Sequence, residues 1–164
     1  MPADPPLDIR IRPATLEDRE FLHRIAPRLL VGYASWRDQE RMLKTVDGFL
    51  QGDLEAPADR GMMVIAERAD GTRLGVAGVA HNVNFTGERQ AYLGELAVIE
   101  EAEGMGVGRL LVEAVERWAR DNGHNLLVLD TGAANERARA FYEHLGYREE
   151  SVRLAKQLGS ASGS

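Results

Sequence analysis

The chain has 164 residues, 44% of them apolar and 28% charged, with a formal charge of −6 and no cysteine. That length fits one domain with a full core over residues 1–158, followed by a flexible Gly/Ser tail over 159–164. The missing cysteines exclude disulfides, thiolate nucleophiles and sulfur-ligated zinc, and the acidic balance argues against a nucleic-acid or anionic-membrane partner.

The first residues carry no basic start followed by an apolar run, and no stretch approaches the roughly 18 apolar residues of a membrane span. A cytoplasmic protein is expected. Leu7 to Arg12 alternates apolar and polar residues, the period of a half-buried strand, and Pro13 stops it. Thr15, with Asp18 three residues on, opens a first helix carrying Leu22, Ile25 and Leu29 on one face. A second helix is predicted from Ser35 to about Gln51, with Trp36, Leu43, Val46 and Leu50 inward and Gly52 ending it.

Met62–Arg68 and Arg73–His81 read as the strands of a hairpin, because Asp70-Gly71 between apolar runs is a strong turn signal. Asn82 to Arg89 reads as a polar turn into a strand from Gln90 to Val98. After a glycine-rich loop, Val107, Leu110, Leu111, Ala114, Val115 and Trp118 recur at helical spacing up to Asn122-Gly123. Leu126 to Leu129 is a continuous apolar run, as in a strand covered on both faces. Asn135 then caps a helix with Ala138, Phe141, Tyr142 and Leu145 inward and Gly146 at its end. A last strand is expected from about Tyr147 to Leu158.

The most informative stretch runs from Tyr92 to Leu111, where a strand enters a loop with Gly104, Gly106 and Gly108 that opens a long amphipathic helix. Glycines let a ligand approach the backbone, and the first amides of a helix lack internal partners and favour negative charge. Together they form an anion site, most often for phosphate. A Walker A loop is excluded because Arg109-Leu110 follows Gly108, and a G-x-G-x-x-G fingerprint fails because Arg109 stands where the third glycine belongs.

The segment resembles the acetyl-coenzyme A loop of the GNAT superfamily of N-acetyltransferases, written Q/R-x-x-G-x-G/A after a strand ending L-x-V. Leu96-Ala97-Val98, Gly106 and Gly108 carry that likeness. Asn135-x-x-Ala138-x-x-x-Tyr142-x-x-x-Gly146-Tyr147 resembles the family's second block, in the family's order and separation. The resemblance covers about Leu7 to Leu158. It implies an α/β (α+β) fold with a mixed, mostly antiparallel sheet of about six to seven strands, splayed in the middle and flanked by about four helices.

It also implies acetyl-CoA as co-substrate and no metal. Leu96, Ala97 and Val98 would hold the thioester arm, where a backbone N–H would steady the oxyanion of acyl transfer. Glu103, Gly104, Met105, Gly106, Val107, Gly108 and Arg109 would surround the diphosphate, and Asn135 and Ala138 the pantetheine. Glu103 departs from the family's Gln or Arg, and the expectation is that it points to solvent while backbone amides cradle the phosphates.

Tyr142 is the implied general acid for the departing thiolate. Glu95, an acid in an apolar strand, is the first choice for the base, with Tyr92 and His81 as rivals. Strict alternation puts Glu95 opposite Leu96 and Val98 and gives Tyr92 the parity of Leu96, unless a bulge intervenes. His23, His124 and His144 show no metal-ligand spacing and are expected at the surface.

The implied activity is acetyl transfer to a primary amine of a small molecule or peptide, by direct attack in a ternary complex, since no cysteine can carry an acyl group. A lysine-like amine of pKa ~10.4 costs about 4.6 kcal/mol to deprotonate at pH 7, so it demands a base. A non-catalytic acyl-CoA sensor, or an acyltransferase for longer acyl-CoA, are the alternatives. Asp47, Asp53, Glu55, Asp59 and Glu88 suit a cationic acceptor and equally an ordinary solvated surface. The last strand offers an edge on which two copies would pair as a homodimer.

Overall fold

The computed structural model of the chain describes residues 8–159. Leu7, the expected start of the first strand, and residues 160–164 of the expected tail lie outside the described residues. The elements in chain order are β1 (Ile9–Pro13), α1 (Arg19–Ile25), α2 (Gln39–Leu54), β2 (Gly61–Arg68), β3 (Arg73–Val83), β4 (Arg89–Val98), α3 (Val107–Asp121), β5 (Leu127–Leu129) and α4 (Glu136–His144). Short 3-10 turns flank α1 and precede the glycine loop. The five strands form one sheet in the order β1-β2-β3-β4-β5, antiparallel throughout except for the parallel β4–β5 pair.

Local chemistry accounts for most element boundaries. The Thr15 amide donates to Asp18 Oδ2 at 2.8 Å, which starts the α1 region. In the β2–β3 turn, Thr72 N donates to Asp70 Oδ1 at 2.9 Å and Gly71 takes φ 86°, a conformation open mainly to glycine. Asn135 Oδ1 accepts from Ala138 N at 3.1 Å and caps α4 as expected.

The sheet is covered on both faces. Leu74, Ala77, Val79, Ala91 and Leu93 pack against Val107, Leu111 and Val115 of α3, and Tyr142 of α4 joins that layer. On the other face Met63, Ile65, Val76 and Ala97 pack against Phe21, Leu22 and Ile25 of α1 and Leu50 of α2. Burying such side chains is worth roughly 1.5–3 kcal/mol each, so these two layers fix the sheet between the helices. Among the described residues no helix is long and apolar enough to cross a membrane.

Three expectations are corrected. The second helix begins at Gln39, because Asp38 caps it by accepting from Arg41 N at 3.1 Å, and Gly52 lies inside it. Trp36 therefore precedes the helix and is exposed, Leu43 is exposed as well, and Leu50 supplies the fully buried contact. The predicted strand from Tyr147 to Leu158 does not form: 148–158 has no regular structure, and Val152, Leu154 and Leu158 are exposed. A strand exists only when paired, and this segment finds no partner among the described residues, so the sheet has five strands instead of six or seven. For the same reason β5, at the open edge of the sheet, is short and half-buried instead of covered on both faces.

Candidate functional site

Two strands diverge at the centre of the molecule. β4 pairs with β3 from Arg89 to Val98, but β5 accompanies it only along Ala91–Leu93. Beyond Leu93 the edge of β4 that faces β5 carries no strand among the described residues, so the two strands part alongside Leu96, Ala97 and Val98. The chain then turns through Glu100–Ala102 into the glycine loop. Gly104 and Gly106 have φ of 78° and 80°, and a Cβ on either would meet nothing within 4 Å. The left-handed backbone therefore demands glycine there, and the space beside it is open. Gly106 is the N-cap of α3, and the amides of Val107, Gly108 and Arg109 begin the helix without carbonyl partners inside it. A Cβ at Gly108 would come within 3.2 Å of the Phe141 ring, so this glycine serves the close packing of α3 against α4. Arg109 is exposed in the first turn, Met105 packs against the core, and Ala138 is half-buried at the start of α4.

Glu103 does not point to solvent. Its two carboxylate oxygens form ion pairs with Arg28, from the turn after α1, and with Arg137 of α4. Arg28 Nε also donates to Val98 O at 3.2 Å. The charge of Glu103 is thus neutralised by two arginines that sequence reasoning missed, because the three residues meet only through tertiary packing. Nearby, Asn135 Nδ2 donates to Val31 O at 3.1 Å, and a Cβ at Gly132 would fall 2.3 Å from Gly32 O. Residues 31–33, in the connection between α1 and α2, therefore touch residues 132–135, between β5 and α4.

A bulge decides what β4 presents on each face. Gly78 pairs with Glu95 and Val79 with Leu93, leaving Gly94 as the extra residue. Ala91 and Leu93 face α3 before the bulge, and Leu96 and Val98 face it afterwards. Tyr92 opposite Ala80 and Glu95 opposite Gly78 consequently share the α1/α2 face. The expected parity of Tyr92 with Leu96 is overturned, and the signal that carried the correction was a glycine in a strand interior.

Glu95 is 7% exposed, its Oε2 has no hydrogen-bond partner among the described residues, and a Cβ at Gly78 would lie 2.3 Å from that oxygen. The carboxylate is thus seated on a glycine that leaves room for it. Burial, and then the charge of Asp53 on α2, push its pKa up to about 8. Tyr92 Oη donates to Asp130 Oδ2 at 2.8 Å, and burial followed by that bond holds its proton more firmly than usual. Tyr142 is likewise kept protonated by burial, its ring in edge contact with Phe141 and Tyr147.

His81 lies on the α3 face, away from Glu95, with Nδ1 2.7 Å from His124 Nε2 and its ring against Trp118. His124 is buried and not at the surface, and burial, then His81, lowers its pKa. His23 and His144 are exposed as expected. Among the described residues no group of three metal-ligating side chains occurs.

The family model described as "Acetyltransferase (GNAT) family" matches residues 20–147. The uncharacterized N-acetyltransferase YhfO of Bacillus subtilis is 30% identical over 128 residues, 77% of this chain and 83% of that protein. Among solved structures, the aminoglycoside N-acetyltransferase AAC(6')-Iy in complex with CoA superposes with a TM-score of 0.69 at 21% identity, over 97% of this chain and 99% of that one. A GCN5-related N-acetyltransferase from Ralstonia eutropha gives 0.69 at 20% identity, over 92% and 99%. At such identities the two structures speak for the fold.

Proposed function

The chain belongs to the GNAT family of acetyltransferases, and on that premise we propose that it moves the acetyl group of acetyl-CoA to a primary amine of a small molecule or peptide. The reading takes residues 1–158 as one acetyltransferase domain and the attack as direct, within a ternary complex. The observation that carries it is the coincidence of an open β4 edge, a left-handed glycine loop at a helix start, and a buried carboxylate without a counter-ion beside them.

The residues present suit acetyl-CoA. The amides of Val107, Gly108 and Arg109 and the cation of Arg109 bind its diphosphate, Glu103 being neutralised by Arg28 and Arg137. The stretch Leu96–Val98, which β5 does not pair, orients its arm, with Asn135 and Ala138 across from it. When bound, the coenzyme supplies an activated thioester acyl group. Glu95 takes one proton from the attacking amine, and Tyr142 gives its own to the departing sulfur and regains the amine's second. The C–N bond forms as the C–S bond breaks.

The sensor reading loses support, since a buried carboxylate over Gly78 serves no binding role for an anionic coenzyme and the Glu103 charge is offset. Titration calorimetry with acetyl-CoA tests the proposal on wild type and on Gly106→Val, whose φ of 80° a branched residue tolerates poorly. Binding lost in a variant that stays folded supports it; no binding by wild type overturns it. For a homodimer, the exposed Val152, Leu154 and Leu158 and, separately, the open edge of β5 supply the motive. Sedimentation of full-length protein and of Leu154→Glu checks it, a monomeric wild type refuting it.

A further inference from the structure

On the α3 face of the sheet, two imidazoles meet near the ends of β3 and α3 and the start of β5. His81 stands on β3 opposite Ala91 of β4, and His124 follows the C-terminal turn of α3 at Asn122 and Gly123. His81 Nδ1 lies 2.7 Å from His124 Nε2. Both rings rest against the indole of Trp118, at centroid separations of 4.9 and 6.1 Å. His124 is 9% exposed, and its amide donates to Ala119 O at 2.9 Å. Two residues on, Leu126 O accepts from Ala91 N at 2.9 Å and leads into β5. The imidazole pair thus ties the entry of β5 to β3 and α3. β5 itself is short and half-buried, at the edge of the sheet, and pairs with β4 only along Ala91–Leu93.

A contact of 2.7 Å between two imidazole nitrogens needs one N–H between them. It survives with the pair neutral or sharing one added proton. It fails when both rings are charged, because each nitrogen is then a donor. Among the described residues no carboxylate forms an ion pair with either ring, so nothing offsets a second charge. Arg89 of β4 adds positive charge beside His124. On α3, Glu116 and Arg120 pair with each other at 3.4 Å, and Trp118 is neutral, as are Ala91 of β4 and Leu127–Leu129 of β5. We propose that the His81–His124 pair is an acid-sensitive pin, which opens when both rings are protonated and lets β5 loosen from β4.

The sign follows from proton binding. Burial, then His81 and Arg89, lower the pKa of His124, so the folded chain resists a proton that the unfolded chain accepts near the ordinary 6.5. The pin therefore holds above that value and is lost as pH falls below it. Its effect is local, because β5 is the strand it fastens, while β2 and β3 are secured by a long antiparallel pairing. On the acetyl-transfer reading above, β5 parts from β4 alongside the stretch that holds the coenzyme arm, so acid loosens the border of that site first.

The test is amide hydrogen exchange and imidazole NMR on the full chain without coenzyme, from about pH 8 to about pH 5. In wild type the protection factor of the Ala91 amide falls tenfold or more across that range, while amides of the β2–β3 pairing stay within about threefold. The two rings of the pair take up protons in separate steps, the second well below the ordinary 6.5. His124→Gln and His81→Gln each lower protection at Ala91 but abolish its dependence on pH, and the remaining ring titrates in one step. A contact that is merely structural would change the level of protection and leave its pH slope in place. Two rings titrating together near 6.5, protection at Ala91 that ignores pH, or a slope that survives in both variants overturns the inference. So does equal loss in the β2–β3 pairing, which marks acid unfolding of the whole chain. Because no coenzyme is present, these outcomes leave acetyl transfer to be decided by acetyl-CoA calorimetry at pH 7.

Discussion

Asp18 and Glu95 are both buried carboxylates, and they are buried in opposite ways. Asp18, at the corner of β1 and α1, accepts from Arg12 through both oxygens at 2.8 Å, from Arg73 Nε at 2.6 Å and from the Thr15 amide. Burial works to raise its pKa, but the arginine bonds overcome it and hold the carboxyl well below the usual range. Glu95, on the bulged stretch of β4, has among the described residues no ion-pair partner, a second acid acting on it and one oxygen unsatisfied. An acid that ties elements together is buried with its counter-ions. An acid buried without them is held at a cost to the fold, and the proposed role of Glu95 as the base would be the reason to hold it.

The largest expected effect is on turnover. Glu95→Gln lowers kcat about 100- to 10,000-fold, the usual range for a lost general base, while acetyl-CoA affinity is unchanged. Release of the CoA thiol reports this cleanly, because the chain has no thiol of its own. At Asp18 the effect moves to stability: Asp18→Ala strands two arginines and destabilises by about 3–5 kcal/mol in denaturant titration. Equal stability losses at the two positions would erase the contrast.

Protons sharpen it further. Asp18, with its folded pKa depressed, stabilises above its unfolded value, and that contribution is lost as pH falls below about 4. Glu95 has the opposite sign. Its folded pKa of about 8 exceeds the ordinary 4.5, so the folded state binds the extra proton, and stability declines between those values as pH rises, then levels off. Denaturation measured across that window shows the decline in wild type and a flatter profile in Glu95→Gln.

Gly78→Ala is the gentler probe. The added Cβ meets the far end of a flexible side chain, so the Glu95 carboxylate swings away at a stability cost of about 1 kcal/mol, while kcat drops tenfold or more. A variant with full activity would mean that the seat over Gly78 does not matter. The smallest effect is at Glu103, whose partners are partly exposed: Glu103→Gln changes acetyl-CoA affinity within about fivefold.

Features governed by neighbours in the chain were legible in the sequence. The Asp70-Gly71 turn, the Asn135 cap, the glycine loop before α3 and the apolar stripe of α3 all formed where their residues predict, because each depends on local backbone conformation or on a single period. Their order also carried the family resemblance. What the tertiary structure decided depends on register and on contacts between distant segments. The bulge at Gly94 placed Tyr92 and Glu95 on one face, which strict alternation denies. Packing of α2 on the sheet brought Asp53 to Glu95, and docking of the α1 and α4 regions brought Arg28 and Arg137 to Glu103. The amphipathic stretch 148–158 shows the same rule in reverse. Its composition suits a strand, but a strand needs a neighbour's hydrogen bonds, and only the folded arrangement determines whether one is there.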